Sequence, residues 1–492
     1  MQKSRCIAHN GCHSGRRDFI RKSGLLTAGA LIMGNLSVYT RNKNLIIPAL
    51  RAFGPASGFV PRIKAAFVRR KEEYGMWWPG AVYDGEAARN KYTEVLTETS
   101  RSLGVNLNIK PTPIYNMEES DAWLAEAGTS QIDGLILVML DRQQHSWPTA
   151  RLAAESGIPT VIFSPLGTSF TTNTVHLAGK PGCVVYSTND VDQLTYGMKM
   201  LKAGSRMKRS RCVVIRGTER RETSLADTGI SLQYIPSDTF KNIYNSMPLN
   251  DDITAMTDAY LREARDIRQS TRQDVLNGIK SYMVAGRILE NEKADAISMD
   301  CLGALADEKI SLPCISWSRM NDDGIPAACE ADTGAIAAQI MVQYLFDRPG
   351  FQQDPVADTS DDTIIGAHCS CPTRLNGFNN PPEPFELIPH HGNRDAVPRT
   401  IWKEGQRVTC LDVLPSDGED RERTQLLIST GTVVKNMNVP PSGGCVVSVK
   451  VKFDDGHEVL SYPGFHQLFF YGDYKKELKE FSQLYNFDAN VI

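Results

Sequence analysis

The sequence feature that most constrains the fold is a continuous apolar run at residues 133–140, DGLILVML. An apolar run of this length without polar alternation is typical of a central strand in a parallel sheet, because helices cover both faces of such a strand. Alternating strand and helix patterns flank it, from an apolar strand at 63–68 to another at 159–163. The sequence therefore predicts a doubly wound parallel α/β sheet, with ligand loops at the carboxyl ends of the strands.

The same alternation begins again with an apolar strand at 212–217. Helical spacing follows at 251–265 and 272–290, and further strands are predicted at 294–299 and 314–317. Because strand and helix patterns alternate again here, the sequence predicts a second α/β domain after the first.

Past residue 355 the pattern changes to short β-branched runs separated by clusters of Pro, Gly and Asn. Regularly spaced short strands predict an antiparallel, β-rich domain that resembles a small barrel, and an amphipathic helix is predicted at 475–485. The predicted fold class is therefore α/β, with two doubly wound α/β domains followed by a β-rich, barrel-like C-terminal domain. The predicted domains are 61–205, 206–354 and 355–492.

Residues 1–40 differ in kind from the rest of the chain. SGRRDFIRK, at 14–22, fits a twin-arginine export signal, and the apolar stretch at 24–34 is shorter than the about 20 residues that span a bilayer. The segment predicts export to the periplasm by the twin-arginine machinery. No small-residue cleavage site follows, so a cleaved signal and an uncleaved membrane anchor both stay open.

Charge and cysteine content exclude some classes of partner. A net charge of −3 over 492 residues shows no basic excess, so the sequence does not predict a nucleic-acid partner. The cysteines beyond the signal are scattered and mostly flanked by apolar residues, as buried thiols are. Cys369-Ser370-Cys371 would suit a soft metal, but no second pair completes a zinc site, and we interpret it as part of a strand.

Acidic side chains cluster at residues 326–371, on both sides of an apolar stretch with helical spacing. The cluster comprises Glu330, Asp332, Asp354, Asp358, Asp361, Asp362 and His368. Oxygen ligands with a nearby imidazole suit a divalent ion such as Mn²⁺ or Mg²⁺. Acidic residues are also common as helix caps and in solvated loops, so the spacing alone leaves both interpretations open.

Two stretches of sequence resemble the L-fucose/L-arabinose isomerase superfamily. CEADTGAIAAQIMVQYL followed by PVADTSDDTIIGAHCSCP is similar to its metal-binding region, where a CEGD-type segment opens a helix and a GAH-type strand follows. GFHQLFFYGDYKKELKEFS, at 464–482, resembles its closing segment, where a metal-ligand histidine precedes a strand and a final helix. The two matches occur in the order of the family, whose architecture also agrees with the predicted fold class.

The resemblance implies a divalent-metal-dependent aldose–ketose isomerase that acts on a monosaccharide by enediolate proton transfer. The implied cofactor is Mn²⁺, or another divalent cation such as Mg²⁺ or Co²⁺. Glu330 and Asp358 match the two carboxylates that serve as ligands and proton-transfer groups, and His466 matches the C-terminal ligand. His368 matches the GAH histidine that joins the metal in the arabinose-isomerase branch.

The chain also departs from the family pattern. Phe465-His466 stands where the family often has paired histidines, and Asp358 stands where one branch has Glu, which favours the fucose-type branch. Export departs from the cytoplasmic members and leaves the physiological substrate open. The register of the second carboxylate also stays open, because Asp358 competes with Asp354, Asp361 and Asp362.

Further side chains are candidates for substrate binding. Trp77 and Trp78 follow the first strand and are predicted either to stack on a sugar or to pack under a loop. Family sites are assembled between subunits, so we expect a homo-oligomer in which this loop serves a neighbouring site. Neighbouring residues on a strand point to opposite faces, so at most one of His390 and His391 faces the pocket, and we assign His391.

Two alternative functions remain. Two α/β domains in an exported protein also describe a non-catalytic sugar-binding protein, although the acidic cluster and the β-rich region are not part of that design. A different metal-dependent sugar reaction on the same scaffold, such as epimerisation, is the other alternative.

Overall fold

The structure is a computed structural model, and it describes residues 50–72, 84–305, 310–390, 395–438, 446–454, 456 and 458–492. The predicted signal at 1–40 and the candidate residues Trp77, Trp78 and His391 lie outside this range. Within the described residues, no helix combines the length and the apolar character that crossing a bilayer requires.

The described part of the chain alternates strands and helices and then becomes mostly strand. The strands are β1 (Arg62–Val68), β2 (Asn106–Ile109), β3 (Gly134–Met139), β4 (Thr160–Ser164), β5 (Cys183–Ser187), β6 (Arg211–Ile215), β7 (Arg221–Ser224), β8 (Ser231–Ile235), β9 (Asp266–Ile267), β10 (Ala296–Met299), β11 (Ala327–Cys329), β12 (Phe351–Asp358), β13 (Thr363–His368), β14 (Phe385–Ile388), β15 (Val397–Thr400), β16 (Arg407–Leu414), β17 (Gln425–Asn436), β18 (Val447–Phe453), β19 (Gln467–Tyr471) and β20 (Asp488–Val491). The helices are α1 (Gly85–Leu103), α2 (Met117–Thr129), α3 (Ser146–Glu155), α4 (Thr171–Thr174), α5 (Val191–Met207), α6 (Ser237–Ser246), α7 (Asp251–Glu263), α8 (Arg272–Glu292), α9 (Cys301–Leu305), α10 (Cys314–Asp322), α11 (Thr333–Phe346) and α12 (Lys475–Tyr485).

The predicted central strand, β3, lies in the middle of a five-stranded parallel sheet with the order β2-β1-β3-β4-β5. Every residue of β3 is buried. Ile136 and Val138 pack with residues of α1 and α5, whereas Leu135 and Leu137 pack with residues of α2 and α3. Helices thus cover both faces of this sheet, which explains why the strand needs no polar alternation.

A second sheet has the order β11-β10-β6-β8-β7, in which only β7 runs antiparallel to its neighbour. The predicted strand at 314–317 is wrong, because these residues begin helix α10. Ser316 and Ser318 are buried as well as Ile315 and Trp317, so this stretch of the helix has no solvent-exposed face. Periodicity cannot separate such a short buried helix from a buried strand.

The C-terminal region contains a closed six-stranded β-barrel, as the short strands predict. The order is β16-β19-β12-β13-β18-β17, and pairing of β17 with β16 closes the ring; β20 adds to β17 outside it. The barrel strands pair antiparallel. Strand β12 crosses the predicted boundary between residues 354 and 355. The number of doubly wound domains and their boundaries stay predictions.

Helix α11 lies where the sheets meet. It contacts α5 from the first sheet, β10 and β11 from the second, and β16 and β19 of the barrel. Almost all of its residues are buried, because neighbouring elements surround it and no polar face is left. Its first turn therefore lies between the second sheet and the barrel, beside the ends of several strands.

Candidate metal centre

Glu330 lies in the tight turn between β11 and α11. The backbone of Glu330 and Ala331 is left-handed, with φ of 63° and 55°, which is uncommon for residues other than glycine. The Ala331 N–H donates to the carbonyl of Met299, at the end of β10, over 3.0 Å. Such strained backbone costs of the order of 1–3 kcal/mol per residue and tends to occur at functional sites.

His466 has the same unusual backbone. It immediately precedes β19, and its φ is 54°. The turn before it is held by Asp412 of β16, whose Oδ2 accepts the Phe465 N–H over 3.1 Å. Burial raises the pKa of Asp412 to about 6. Two of the sequence-predicted site residues, Glu330 and His466, thus occupy strained positions that the surrounding structure fixes.

The structure brings Glu330, His368 and His466 together. Their potential ligand atoms all lie within 4.8 Å of one another. Nε2 of His466 lies 3.5 Å from Oε2 of Glu330, and Nε2 of His368 lies 3.8 Å from Oε1 of the same carboxylate. The two imidazole rings meet edge to face, with centroids 5.6 Å apart.

The second carboxylate of the cluster is Asp354, on β12. Its Oδ1 lies 3.3 Å from Nε2 of His466. The side chains of Glu330 and Asp354 are 33% and 27% exposed, whereas those of both histidines are buried. The imidazoles therefore lie on the buried side of the cluster, and the carboxylates lie on the side that solvent can reach.

Asp358, predicted as the second carboxylate, is placed elsewhere. It lies four residues further along β12, about 13 Å away at the usual strand rise. Its Oδ2 accepts from Nζ of Lys450 over 2.5 Å, and Asp361 shares that lysine. The structure therefore favours Asp354, one of the residues that the sequence left open, over Asp358 and Asp361. Asp362, the remaining alternative, belongs to the same turn and is not in the group around Glu330.

Asp332 orients His466. Its Oδ2 accepts from Nδ1 of His466 over 2.9 Å, and its Oδ1 accepts the Ala335 N–H over 2.7 Å as the N-cap of α11. A carboxylate behind a histidine fixes the tautomer and the ring orientation of a metal ligand. The sequence analysis left a helix-cap role open for the acidic residues, and the structure confirms it for Asp332. It missed the contact of Asp332 with His466.

The electrostatics of the cluster centre on His466. Burial alone would lower the pKa of His466. Hydrogen bonds to Asp332 and Glu330, together with the charge of the nearby Asp354, outweigh this effect and raise the pKa to about 10. The hydrogen bond to His466 holds the pKa of Glu330 below its usual value. Burial, together with the charge on His466, lowers the pKa of His368 to about 4. One imidazolium thus offsets part of the negative charge of the three surrounding carboxylates, while His368 stays neutral.

The donor set fits a divalent cation. Nε2 of His466 is buried, and oxygens of Glu330 and Asp354 lie beside it. Two imidazoles with two carboxylates suit Mn²⁺ or Co²⁺, and Mg²⁺ suits the carboxylates better than the imidazoles. Glu330, Asp354, His368 and His466 would hold such an ion.

A separate cavity of about 800 Å³ lies against α12, and no residue of the cluster lines it. Its lining mixes charges of both signs, including Lys475, Lys479, Asp473 and Glu480. Since none of the candidate ligands lies there, its size does not make it the functional site.

Comparison of the chain with protein-family models finds no match, and comparison with curated protein sequences also finds none. The assignment of a function therefore rests on the geometry of the cluster of Glu330, Asp354, His368 and His466.

Proposed function

We propose that this protein is a divalent-metal-dependent aldose–ketose isomerase of the L-fucose/L-arabinose isomerase type, acting on a monosaccharide. The observation that carries the proposal is the convergence of Glu330 and Asp354 on Nε2 of His466. Glu330 and His466 come from the sequence segments that resemble the superfamily, and Asp354 directly precedes one of them. The proposal includes two doubly wound α/β domains before the barrel, which the two mainly parallel sheets support.

Isomerisation moves a proton between two adjacent carbons and another proton between their oxygens. The carbon-bound proton is weakly acidic, so the negative charge of the enediolate has to be stabilised as it develops. A bound Mn²⁺, Co²⁺ or Mg²⁺ would supply positive charge beside the two oxygens.

The carboxylates of the chain would carry out the proton transfers. Glu330 is ionised at neutral pH, since its pKa lies below its usual value, and it is accessible from solvent, so it can remove the proton from one carbon and return it to the next. Asp354, which also lies beside Nε2 of His466, would then serve the substrate oxygens. The sequence analysis predicted this role for Asp358. We assign it to Asp354, because the ion pair with Lys450 holds Asp358 away from the cluster.

The remaining parts of the proposal concern location and partners. Export by the twin-arginine machinery to the periplasm rests on the segment at 14–34. Assembly as a homo-oligomer and sugar contacts by Trp77, Trp78 and His391 rest on the resemblance. Each of these is separate from the metal chemistry and can fail without affecting it.

The first test is a Mn²⁺ titration of the full chain by calorimetry and electron paramagnetic resonance. We expect stoichiometric binding in the parent and at least about tenfold weaker binding in Glu330→Gln and Asp354→Asn. Asp358→Asn is the matched control, because it removes a carboxylate from the same strand without touching the cluster, and it should bind like the parent.

The second test follows aldoses in D₂O by NMR, including L-fucose and L-arabinose. Isomerase activity predicts deuterium at the carbon next to the carbonyl together with formation of the ketose, and Glu330→Gln should lower the rate by about 10²–10⁴-fold. Deuterium uptake without ketose would indicate epimerisation instead. A folded parent that binds none of Mn²⁺, Co²⁺ and Mg²⁺ would overturn the proposal and favour the sugar-binding protein, whose sugar affinity calorimetry would then measure.

A further inference from the structure

A second group of metal-binding side chains lies behind the candidate centre. Cys314 is the first residue of α10, Cys369 directly follows β13, and His390 follows β14 after one residue. Their potential ligand atoms all lie within 4.8 Å of one another. Cys314 and His390 are buried, and Cys369 is partly buried, so the group lies in a protected region and not on a solvated surface.

We propose that Cys314, Cys369 and His390 form a soft-metal site, separate from the carboxylate–imidazole centre, that takes Zn²⁺ or a similar thiolate-binding cation. Thiolates and imidazoles are the ligands that zinc prefers, and these three residues would leave one position of a tetrahedral ion for a fourth ligand. The proposal does not depend on the isomerase function, because it involves none of the residues to which proton transfer is assigned.

The spacing of the sulfur atoms supports the proposal. Sγ of Cys314 lies 3.6 Å from Sγ of Cys369. Two thiolates at tetrahedral positions around Zn²⁺ are about 3.8 Å apart, given the zinc–sulfur bond length, whereas the sulfurs of a disulfide are roughly 2.05 Å apart. The arrangement is therefore closer to that of two ligands around one ion than to a covalent pair.

Other soft ligands lie next to this group. Cys369 also belongs to a second set with Cys329 and His368, whose ligand atoms are equally close. Nδ1 of His368 lies 3.5 Å from Sγ of Cys369, while Nε2 of His368 faces Glu330. His368 therefore stands between the two centres, with one ring nitrogen toward each.

The three ligands come from elements that are distant in sequence. A cation held by them would tie α10, which packs against α8 beside the second sheet, to the end of β13 in the barrel and to the chain after β14. Each thiol would release its proton to solvent when the ion binds, and the binding free energy would add to the stability of the folded state. The site would thus fix the backbone on which His368 stands.

Cobalt titration tests this proposal, because thiolate ligands give Co²⁺ a near-ultraviolet charge-transfer band that oxygen and imidazole ligands do not give. The full chain, reduced and stripped of metal, is titrated with Co²⁺ and then with Zn²⁺. We expect a stoichiometric band that Zn²⁺ abolishes, and at least about tenfold weaker binding in Cys314→Ser, Cys369→Ser and His390→Gln. Cys212→Ser and Cys371→Ser, at buried thiols outside the group, are the matched controls and should keep the band.

The two centres can be separated. Glu330→Gln should keep the cobalt–thiolate band while losing Mn²⁺ affinity. Cys314→Ser should lose the cobalt–thiolate band while keeping Mn²⁺ affinity. Circular dichroism monitors folding, and His390→Gln carries the test if a cysteine variant fails to fold. No band in the folded, reduced parent would overturn the proposal, as would a band retained in all three variants. Two thiols that become titratable only after reduction would also overturn it, and would show a disulfide instead.

Discussion

Nδ1 of His466 lies 2.9 Å from Oδ2 of Asp332, whose other oxygen caps helix α11. One carboxylate therefore links the start of a helix at the second sheet to a histidine at the start of a barrel strand. With Nδ1 held in this way, Nε2 points toward Glu330 and Asp354. The orientation of the proposed ligand thus depends on a residue that would not touch the metal.

Asp332→Asn should weaken Mn²⁺ binding by about 10–100-fold once the affinities are corrected for the proton that His466 releases. Asparagine has one acceptor oxygen, so it cannot both cap Ala335 and accept from His466. Isothermal titration with Mn²⁺ measures the affinity, and urea denaturation should show a loss of only about 1 kcal/mol from the weakened cap. Asn250→Ala, at the N-cap of α7, is a control that loses a cap without losing metal affinity, and parent-like Mn²⁺ affinity in Asp332→Asn would contradict the orienting role.

Much of the fold could be predicted from periodicity. The final helix at 475–485 and the central strand β3 appear as the patterns indicate, since each presents a strong and unambiguous burial pattern. β7 was missed because all of its residues are exposed, so its sequence carries no apolar alternation. A strand such as β7 cannot be predicted from periodicity, because tertiary packing and not the local pattern decides its conformation.

The candidate site was predicted less completely. Glu330, His368 and His466 meet as the resemblance implies, but the second carboxylate could not be chosen from sequence. Asp354 and Asp358 lie four residues apart on one strand and so share a face. Pairing partners decide between them: Asp358 sits opposite Thr363, near the turn to β13, and Asp354 sits opposite Ala367, next to His368.

The ion pair of Asp358 with Lys450 should make stability depend on acid pH. The hydrogen bond to Lys450 holds the pKa of Asp358 below its usual value. The ion pair therefore contributes to stability when the pH is above the usual pKa of an aspartate. This contribution is lost as the pH falls from that pKa toward the lower pKa of Asp358 in the folded state. A double-mutant cycle of Asp358→Asn and Lys450→Met, followed by urea denaturation, should show a coupling at pH 7 that shrinks from about pH 4 downward. A coupling that stays constant down to pH 2 would contradict the assignment.

Mn²⁺ binding should release a proton from His466. Without a cation its pKa is about 10, so Nε2 carries a proton at pH 8 that must leave before the nitrogen can bind a metal. The affinity should therefore rise by about tenfold per pH unit up to that pKa. Calorimetry in buffers of different ionisation enthalpy counts the protons, and Asp332→Asn, which removes the main hydrogen bond, should release fewer.

The same protonation predicts how the metal-free protein responds to alkali. Because the folded pKa of His466 is raised from 6.5 to about 10, its contribution to stability is fully present below 6.5 and is lost as the pH rises through about 10. Saturating Mn²⁺ should remove this pH dependence, because the bound nitrogen no longer titrates.

The proton count on Mn²⁺ binding also tests the hydrogen bond between His466 and Asp332. Equal proton release at pH 8 by the parent and Asp332→Asn would contradict that hydrogen bond.

Packing of α12 on α5 gives a test of the fold that is independent of the metal. A Cβ added at Gly204 in α5 would overlap the ring of Tyr485 at the end of α12, so Gly204→Ala should lower the free energy of unfolding by about 1–3 kcal/mol. Gly128→Ala, in α2, is the matched control, because nothing lies within 4 Å of its added methyl, and it should be neutral or stabilising by up to roughly 1 kcal/mol. Urea denaturation measures both. Tyr485→Leu should make the Gly204→Ala substitution less costly, and equal unfolding free energies for the two glycine variants would show that α12 does not pack there.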